Sequence, residues 1–95
     1  MAIKVWGIDV SKYNHPIDWK KVKNAGVKFA ILRVGFASTS NRHNLYLDPY
    51  FEEFYRGAKE VGMPVGVYFY SRCNSIQTAR REAEFILNAI KGKQF

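Results

Sequence analysis

The sequence predicts an α/β fold in which three consecutive strand–helix units share a parallel sheet. Three apolar runs, Ile3–Val10, Phe29–Gly35 and Val65–Tyr70, have the length and composition of strands. Each is followed by a segment with helical periodicity. Strands that alternate with helices are joined by right-handed crossovers, which makes the strands parallel. The 95 residues suffice for one domain but exclude a complete eight-stranded barrel, which takes roughly 250 residues.

The three helices are predicted from caps and apolar stripes. The first covers Trp19–Ala25, with Asp18 as its N-cap and Gly26 at its end. The second opens at Asp48-Pro49. Its apolar stripe consists of Phe51, Phe54, Tyr55, Ala58 and Val61. The third is capped by Ser75, and its predicted stripe consists of Ile76, Ala79, Ala83, Ile86, Leu87 and Ile90.

Alternation along the strands separates two faces of the sheet. One face is apolar and is predicted to pack against the helices: Trp6, Ile8, Val10, Ala30, Leu32, Val34, Val65, Val67 and Phe69. The other becomes polar toward the carboxyl ends of the strands, at Asp9, Arg33, Tyr68 and Tyr70. A doubly wound sheet is apolar on both faces. The pattern therefore predicts part of a TIM-like (β/α) barrel with a polar cleft, since three strands cannot close a barrel.

Four side chains on the polar face are the candidates for chemistry. Asp9 ends the first strand, where barrel enzymes place catalytic groups. A structural pairing with Arg33, or a cap on the next turn, explains Asp9 equally well. Arg33 can hold Asp9 or a substrate oxygen, and we favour the pairing. Tyr68 and Tyr70 can form a wall for a sugar ring, with core packing as the alternative.

Composition bears on partners and cofactors. A formal net charge of +7 favours a polyanionic partner such as an acidic cell-wall polymer. Nucleic acid is not predicted, because the basic run at Lys20–Lys23 comes without a base-reading motif. Neither a membrane span nor an export signal is predicted. His15, His43 and the single Cys73 lack metal-ligand spacing, and no glycine-rich phosphate cradle follows the first strand.

Several motifs, in order along almost the whole chain, resemble the family 25 glycoside hydrolases. These are the Chalaropsis-type lysozymes of phage endolysins and bacterial autolysins. The similarity rests on the runs Gly7–Tyr13, Ile17–Trp19, Val22-Lys23, Ala25–Val27, Phe29–Ile31 with Arg33 and Gly35, Asp48 through Gly57–Lys59 and Gly62, Val65–Ser71, and Ala79 with Glu82-Ala83.

This resemblance implies hydrolysis of the β-1,4 bond between N-acetylmuramic acid and N-acetylglucosamine in bacterial peptidoglycan. It implies an irregular barrel, no metal or organic cofactor, and action at the cell wall, either outside the cell or after release by a phage. Asp9 matches the aspartate that the family carries on its first strand in the catalytic cleft. Tyr68, followed by Tyr70, matches the region that lines the sugar site.

One expected feature of the family is missing from the sequence. The family's proton donor is a glutamate in an Asp-x-Glu motif on the fourth barrel strand, and the chain ends at Lys91–Phe95, where that strand is due. Glu82 and Glu84 belong to the third helix and cannot replace it. We therefore expect residues 1–95 to be the amino-terminal part of a lysozyme catalytic domain, inactive as an isolated chain.

Two other interpretations stay open on the sequence alone. The chain can be a non-catalytic glycan-binding or assembly module built from a half-barrel, which self-associates through its uncovered strand edges. It can also be a small open α/β domain with an unrelated binding function. That last interpretation requires the face with Asp9 and Arg33 to lie buried under helices.

Overall fold

A computed structural model describes residues 6–38, 44–71 and 75–95. The elements in chain order are β1 (Gly7–Val10), a 3-10 turn (Lys12–Asn14), α1 (Trp19–Asn24), β2 (Phe29–Ala37), β3 (Leu45–Leu47), α2 (Phe51–Glu60), β4 (Val65–Tyr70) and α3 (Ile76–Ile90). The three predicted strand–helix units are present, with β3 as an addition. The predicted first part of β1, and also His43 and Cys73, lie outside the described residues.

The strand β2 is the centre of the sheet. It runs parallel to β1, with Gly7 opposite Phe29, and parallel to β4, with Ala30 opposite Val65. This is the arrangement that right-handed crossovers between successive strands produce. The end of β2 also pairs with the antiparallel strand β3. β4 pairs with β2 along most of its length, on one edge. The other edge is therefore shared, with β1 paired to the first part of β2 and β3 paired to its last part.

The short strand β3 was not predicted, although Gly35 carries a signal for it. A Cβ atom at this position would collide with the backbone carbonyl of Tyr46 in β3. A glycine inside a strand often marks such a close backbone approach or a bulge. Both occur here, because the register between β2 and β4 shifts between Arg33 and Gly35.

The core lies between the sheet and the helices, as the apolar strand face predicts. Ala30, Leu32 and Val34 of β2 are completely buried. They pack with α2 and with Trp19 of α1. The Trp19 ring fits against Gly57, where a Cβ atom would overlap it. Trp6, expected on this face, is exposed. The core residues are Val10, Trp19, Val27, Ala30, Leu32, Val34, Phe51, Phe54, Ala58, Met63 and Val65.

The first and third helices begin at their predicted caps. The Asp18 side chain accepts a hydrogen bond from the Lys21 backbone N–H (3.2 Å). Ser75 accepts one from the Thr78 N–H (3.1 Å), and the Thr78 hydroxyl accepts one from the Ser75 N–H, which completes a capping box. The second helix begins at Phe51, later than predicted, because its first residues form a turn.

Most of the predicted apolar stripe of α3 does not face the core, although Ile90 at its end packs against it. Ile76 and Leu87 are 76% and 64% exposed, while Thr78 and Glu82 are buried. Contacts at the end of β4 explain this orientation. The Glu82 carboxylate accepts a hydrogen bond from the Ser71 hydroxyl, and the Phe85 ring on the same side of the helix contacts Phe69. The burial of these groups turns the Ile76 side of α3 toward solvent.

The second face of the sheet is the polar face, defined here by Asp9, Ile31, Arg33, Phe36, Tyr68 and Tyr70. Arg33 lies opposite Tyr68, and after the bulge Phe36 lies opposite Tyr70. Phe36 therefore takes the place on this face that strict alternation assigns to Gly35. Asp9 and Tyr70 are exposed, so this face is not buried under helices as an unrelated open domain would require.

Candidate functional site

Asp9 lies in an open depression of about 390 Å³, the Asp9 cleft, which is lined by Asp9, Ile31 and Tyr68. The three residues come from the neighbouring strands β1, β2 and β4. Asp9 is the penultimate residue of β1, and its side chain is exposed. Within the described ranges it makes no hydrogen bond or ion pair. Its carboxylate is therefore accessible to a ligand in the cleft.

Tyr68 shares the cleft with Asp9 and lies between charges of both signs. Burial raises the pKa of its hydroxyl above the usual 10.0, and the charges of Asp9 and Asp48 act in the same direction. The positive charge of Arg33 and a side-chain hydrogen bond with Ser11 oppose that increase in pKa. The Tyr68 hydroxyl is consequently neutral at physiological pH and can donate a hydrogen bond beside the Asp9 carboxylate.

The favoured pairing of Arg33 with Asp9 is wrong, because Arg33 pairs with Asp48. The Arg33 Nε atom donates to Asp48 Oδ2 at 2.9 Å, and both side chains are buried. The antiparallel strand β3 explains the change of partner. Its pairing with β2 continues to the Asp48 N–H, which donates to the Val34 carbonyl (2.7 Å), and this places Asp48 beside Arg33.

The Asp48 carboxylate joins three segments of the chain. Besides the bond from Arg33, its Oδ2 atom accepts a hydrogen bond from the Lys12 N–H (2.9 Å), in the turn that follows β1. Its Oδ1 atom accepts one from the Tyr50 N–H (2.9 Å), just before α2. The predicted role of Asp48 as a cap is thus only part of its function. The Asp48 carboxylate also fixes the turn that follows β1 and Asp9, and it holds Arg33 in place on the polar face.

Next to the Asp9 cleft lies a second depression of about 340 Å³, the Arg33 pocket. Its lining residues are Tyr13, Arg33, Phe36, Ala37, Ser38, Tyr46 and Tyr70. Tyr70, predicted as part of a sugar-binding wall, therefore lies in this pocket, whereas Tyr68 lies in the Asp9 cleft. The Phe36 and Tyr46 rings stack with their centroids 5.6 Å apart. Flat aromatic surfaces with hydroxyl groups suit the faces and edges of sugar rings.

Sequence reasoning did not find three aromatic residues of the Arg33 pocket. Phe36 was missed because the bulge reverses the alternation after Arg33. Tyr46 was missed together with β3, and Tyr13 lies in the 3-10 turn that follows β1. The strand glycine Gly35 is the signal that could have revealed Phe36, because it marks the irregularity.

The described histidine does not contribute to either depression. The His15 ring stacks on Tyr50 with centroids 3.7 Å apart, and its Nε2 atom lies 2.9 Å from the Glu53 carboxylate. These contacts place it at the start of α2. Within residues 6–38, 44–71 and 75–95, no group of three His, Cys, Asp or Glu side chains could hold a metal ion. In those same ranges no helix is long and apolar enough to span a membrane.

Comparison with known proteins identifies the family. A model of the glycosyl hydrolases of family 25 matches residues 8–95. The chain belongs to this family. The autolytic lysozyme of Clostridium acetobutylicum is similar over 86 residues, with 33% identity over 90% of this chain. The match covers 24% of that lysozyme, so the chain spans about a quarter of the length of its curated relative.

Solved structures confirm the predicted fold. A lysozyme from Streptomyces coelicolor is 29% identical, with a TM-score of 0.75 over 93% of this chain and 37% of its own. The catalytic domain of endolysin ply40, from bacteriophage P40 of Listeria monocytogenes, gives a TM-score of 0.78 at 24% identity, over 96% of this chain and 41% of its own. The three strand–helix units thus have the fold of part of the family's TIM-like barrel.

Proposed function

We propose that this chain supplies one side of the cleft of a peptidoglycan hydrolase. The bond cleaved is the β-1,4 linkage between N-acetylmuramic acid and N-acetylglucosamine, and residues 1–95 are the amino-terminal part of the catalytic domain. One observation carries the proposal. In this member of family 25, the accessible carboxylate of Asp9 lies near the end of a parallel strand, beside the neutral hydroxyl of Tyr68.

Each side chain has a role that its surroundings support. The charge of Asp9 stabilises the positive charge that develops on the sugar ring in an oxocarbenium-like transition state. The Tyr68 hydroxyl donates to a sugar oxygen, and Tyr70 offers a flat wall. Arg33 contacts the substrate from the buried side of its pocket. The catalytic domain acts at the bacterial cell wall, where the formal charge of +7 favours contact with anionic polymers.

The isolated 95-residue chain should bind glycan without cleaving it at a lysozyme's rate. Glycoside cleavage needs an acid that protonates the leaving oxygen. The sequence contains no Asp-x-Glu motif, and Asp9 cannot both protonate the leaving group and act as an anion. The Glu82 carboxylate is buried and accepts a hydrogen bond from Ser71, so it is already engaged in the attachment of α3.

Binding and cleavage are tested together by incubation of the chain with purified insoluble peptidoglycan. We expect the chain to sediment with the glycan and the supernatant to gain few reducing ends. Replacement of Tyr70 by Ala should reduce the bound fraction. The matched control is Tyr55→Ala, on α2 and away from the polar face. Full-rate release of reducing ends would contradict the missing-acid argument, and no sedimentation would contradict the glycan-binding surface.

A chimera tests the role of Asp9 in catalysis. Residues 8–95 replace the matching part of the Streptomyces coelicolor lysozyme, which supplies the remainder of the barrel. We expect the chimera to release reducing ends, and Asp9→Asn to lower turnover by about 100-fold or more, because a charge aimed at the transition state is lost. Circular dichroism establishes that both chimeras are folded. Equal turnover in the folded Asn variant would remove Asp9 from the mechanism.

Self-association without catalysis is a second candidate function, favoured by two observations, on α3 and on the outer strands. Ile76 and Leu87 lie exposed on one side of this helix, and β1 and β4 present strand edges beyond their pairing with β2. Such surfaces are usually covered by pairing or packing. Light scattering distinguishes the candidates: a monodisperse monomer at high concentration argues against assembly, and a stable dimer that Leu87→Glu dissociates supports it.

A further inference from the structure

The guanidinium group of Arg33 is only partly used by the protein. Arg33 is 8% exposed, and its Nε atom donates to Asp48. Its Nη2 atom is buried and has no hydrogen-bond partner within the described residues. Burial of a polar group without a partner destabilises the folded state, and more strongly when the group is charged. Buried atoms of this kind call for a specific explanation.

The unpaired atom belongs to a side chain that lines the Arg33 pocket. Two rings flank the guanidinium, since its Cζ atom lies 4.7 Å from the centroid of Phe36 and 5.5 Å from that of Tyr13. Contact with aromatic rings and the bond to Asp48 restrict the orientation of the planar guanidinium. The pocket volume of about 340 Å³ leaves room for a ligand group beside the guanidinium.

The charge around the pocket favours an anion. Asp48 balances the charge of Arg33. Lys12 adds a second cation, with its Nζ atom 5.0 Å from the Phe36 centroid and 5.2 Å from that of Tyr13. Asp9 lies in the neighbouring cleft, and its negative charge repels an anion, but it does not line the pocket. A carboxylate is planar and accepts hydrogen bonds from Arg with the geometry that the guanidinium edge offers.

We propose that the Arg33 pocket binds a carboxylate carried by the glycan. The group is held by Arg33 Nη2 and the nearby charge of Lys12, and the attached sugar or peptide contacts Tyr46 and Tyr70. Two parts of peptidoglycan carry this chemistry: the lactyl ether of N-acetylmuramic acid where no stem peptide is attached to it, and the acidic residues of the stem peptide. The pocket is thus a subsite for the substituents of the glycan, beside the cleft that holds its backbone. The assignment of the glycan rests on the proposed function.

The carboxylate itself is tested with a matched pair of probes, acetate and acetamide, on the 95-residue chain. The readout is the Nε–Hε resonance of Arg33 in proton–nitrogen NMR spectra, with the exposed Arg56 as internal control. We expect acetate to shift the Arg33 signal in a saturable manner and acetamide to leave it unchanged. Equal shifts from both probes, or equal acetate shifts at Arg33 and Arg56, would overturn the inference, whatever the outcome with peptidoglycan.

A pair of variants places the effect in the pocket. Tyr13 is 79% exposed and lies beside Arg33, so its replacement leaves the Arg33–Asp48 pair intact. Tyr13→Glu supplies a competing carboxylate, and Tyr13→Gln has the same size without the charge. We expect the acetate Kd to rise about tenfold or more in the Glu variant relative to the Gln variant, since two anions compete for one charged donor. Identical values would contradict a site at Arg33.

Natural fragments then identify the source of the carboxylate. N-acetylmuramic acid has a free lactyl carboxylate, N-acetylglucosamine has none, and N-acetylmuramoyl-L-alanyl-D-isoglutamine carries its carboxylate on the peptide. Tighter binding of the first indicates the lactyl group, and tighter binding of the third indicates the stem peptide. Either result supports the subsite, provided that N-acetylglucosamine binds about tenfold more weakly than the tighter of the two acidic fragments. A tenfold difference in Kd is the discrimination expected from one charged contact. Equal binding of all three contradicts it while leaving glycan binding intact.

Discussion

Asp9 and Asp48 both lie near the Tyr68 hydroxyl but have opposite surroundings. Asp48 is buried and accepts hydrogen bonds from Arg33, Lys12 and Tyr50. Asp9 is exposed and, within the described part of the chain, makes no hydrogen bond or ion pair. A carboxylate that holds the fold together is saturated by the protein, whereas one that acts on a ligand must keep its acceptor positions open. The two side chains are chemically identical, and only their hydrogen-bond partners and exposure distinguish them.

Replacement of Asp48 by Ala should have the largest effect on stability. It leaves the buried Arg33 cation without its partner and frees two backbone N–H groups. We expect the free energy of unfolding to fall by about 3–5 kcal/mol, the usual cost when one partner of a buried pair is removed. Urea unfolding followed by circular dichroism measures the change. The control is Asp18→Ala, which removes an exposed helix cap and should cost about 1 kcal/mol. Equal losses of stability in Asp48→Ala and Asp18→Ala would show that Asp48 acts only as an ordinary helix cap.

Alkaline pH should weaken the fold through Tyr68, which lies close to both aspartates. The pKa of its hydroxyl is raised in the folded chain, mainly by burial. Above pH 10 the unfolded chain therefore releases this proton first, and stability declines as the pH rises through the folded pKa. Below pH 10 the contribution is complete. Urea unfolding at several pH values should show a shallower decline for Tyr68→Phe, and parallel curves would contradict the shift.

Replacement of Asp9 by Asn should have the smallest effect on stability. The side chain is exposed, and we expect the free energy of unfolding to change by no more than about 0.5 kcal/mol. The charge of Asp9 contributes to the raised pKa of Tyr68, so the variant should titrate this phenol at lower pH. The ultraviolet absorbance of ionised tyrosine is measured as the pH is raised. Subtraction of the curve for Tyr68→Phe isolates the contribution of the Tyr68 phenol. A large loss of stability would show that Asp9 is structural.

The part of the fold that depends on local pattern could be predicted from the sequence. The apolar strand face follows from alternation, and the caps Asp18 and Ser75 follow from side chains that bond within their own turn. The position of Asp9 on the polar face, near the end of its strand, follows from the same alternation. These features need only neighbours in sequence or a regular period.

The rest depended on contacts that no local pattern contains. The partner of Arg33 is set by the register of the three-residue strand β3, which is too short for a periodic signal. The face of α3 that packs is set by Phe69 of β4 and by Ser71 just after that strand, rather than by the helix's own apolar stripe. The carboxylate roles of Asp9 and Asp48 could therefore be proposed from sequence, but their pairing could not.

The central position of β2 determines which part of the chain opens as a cooperative unit. β2 is paired with β1 and β3 along one edge and with β4 along the other, and Ala30, Leu32 and Val34 are completely buried. Separation of β2 from β1 or β4 exposes the core, because Val10 of β1 and Val65 of β4 belong to it. The short strand β3 contributes no residue to this core and can fray at lower cost, whereas β2 is released only when the whole domain unfolds. Both depressions of the polar face are built on this strand, so local fluctuations at the edges leave their floor intact.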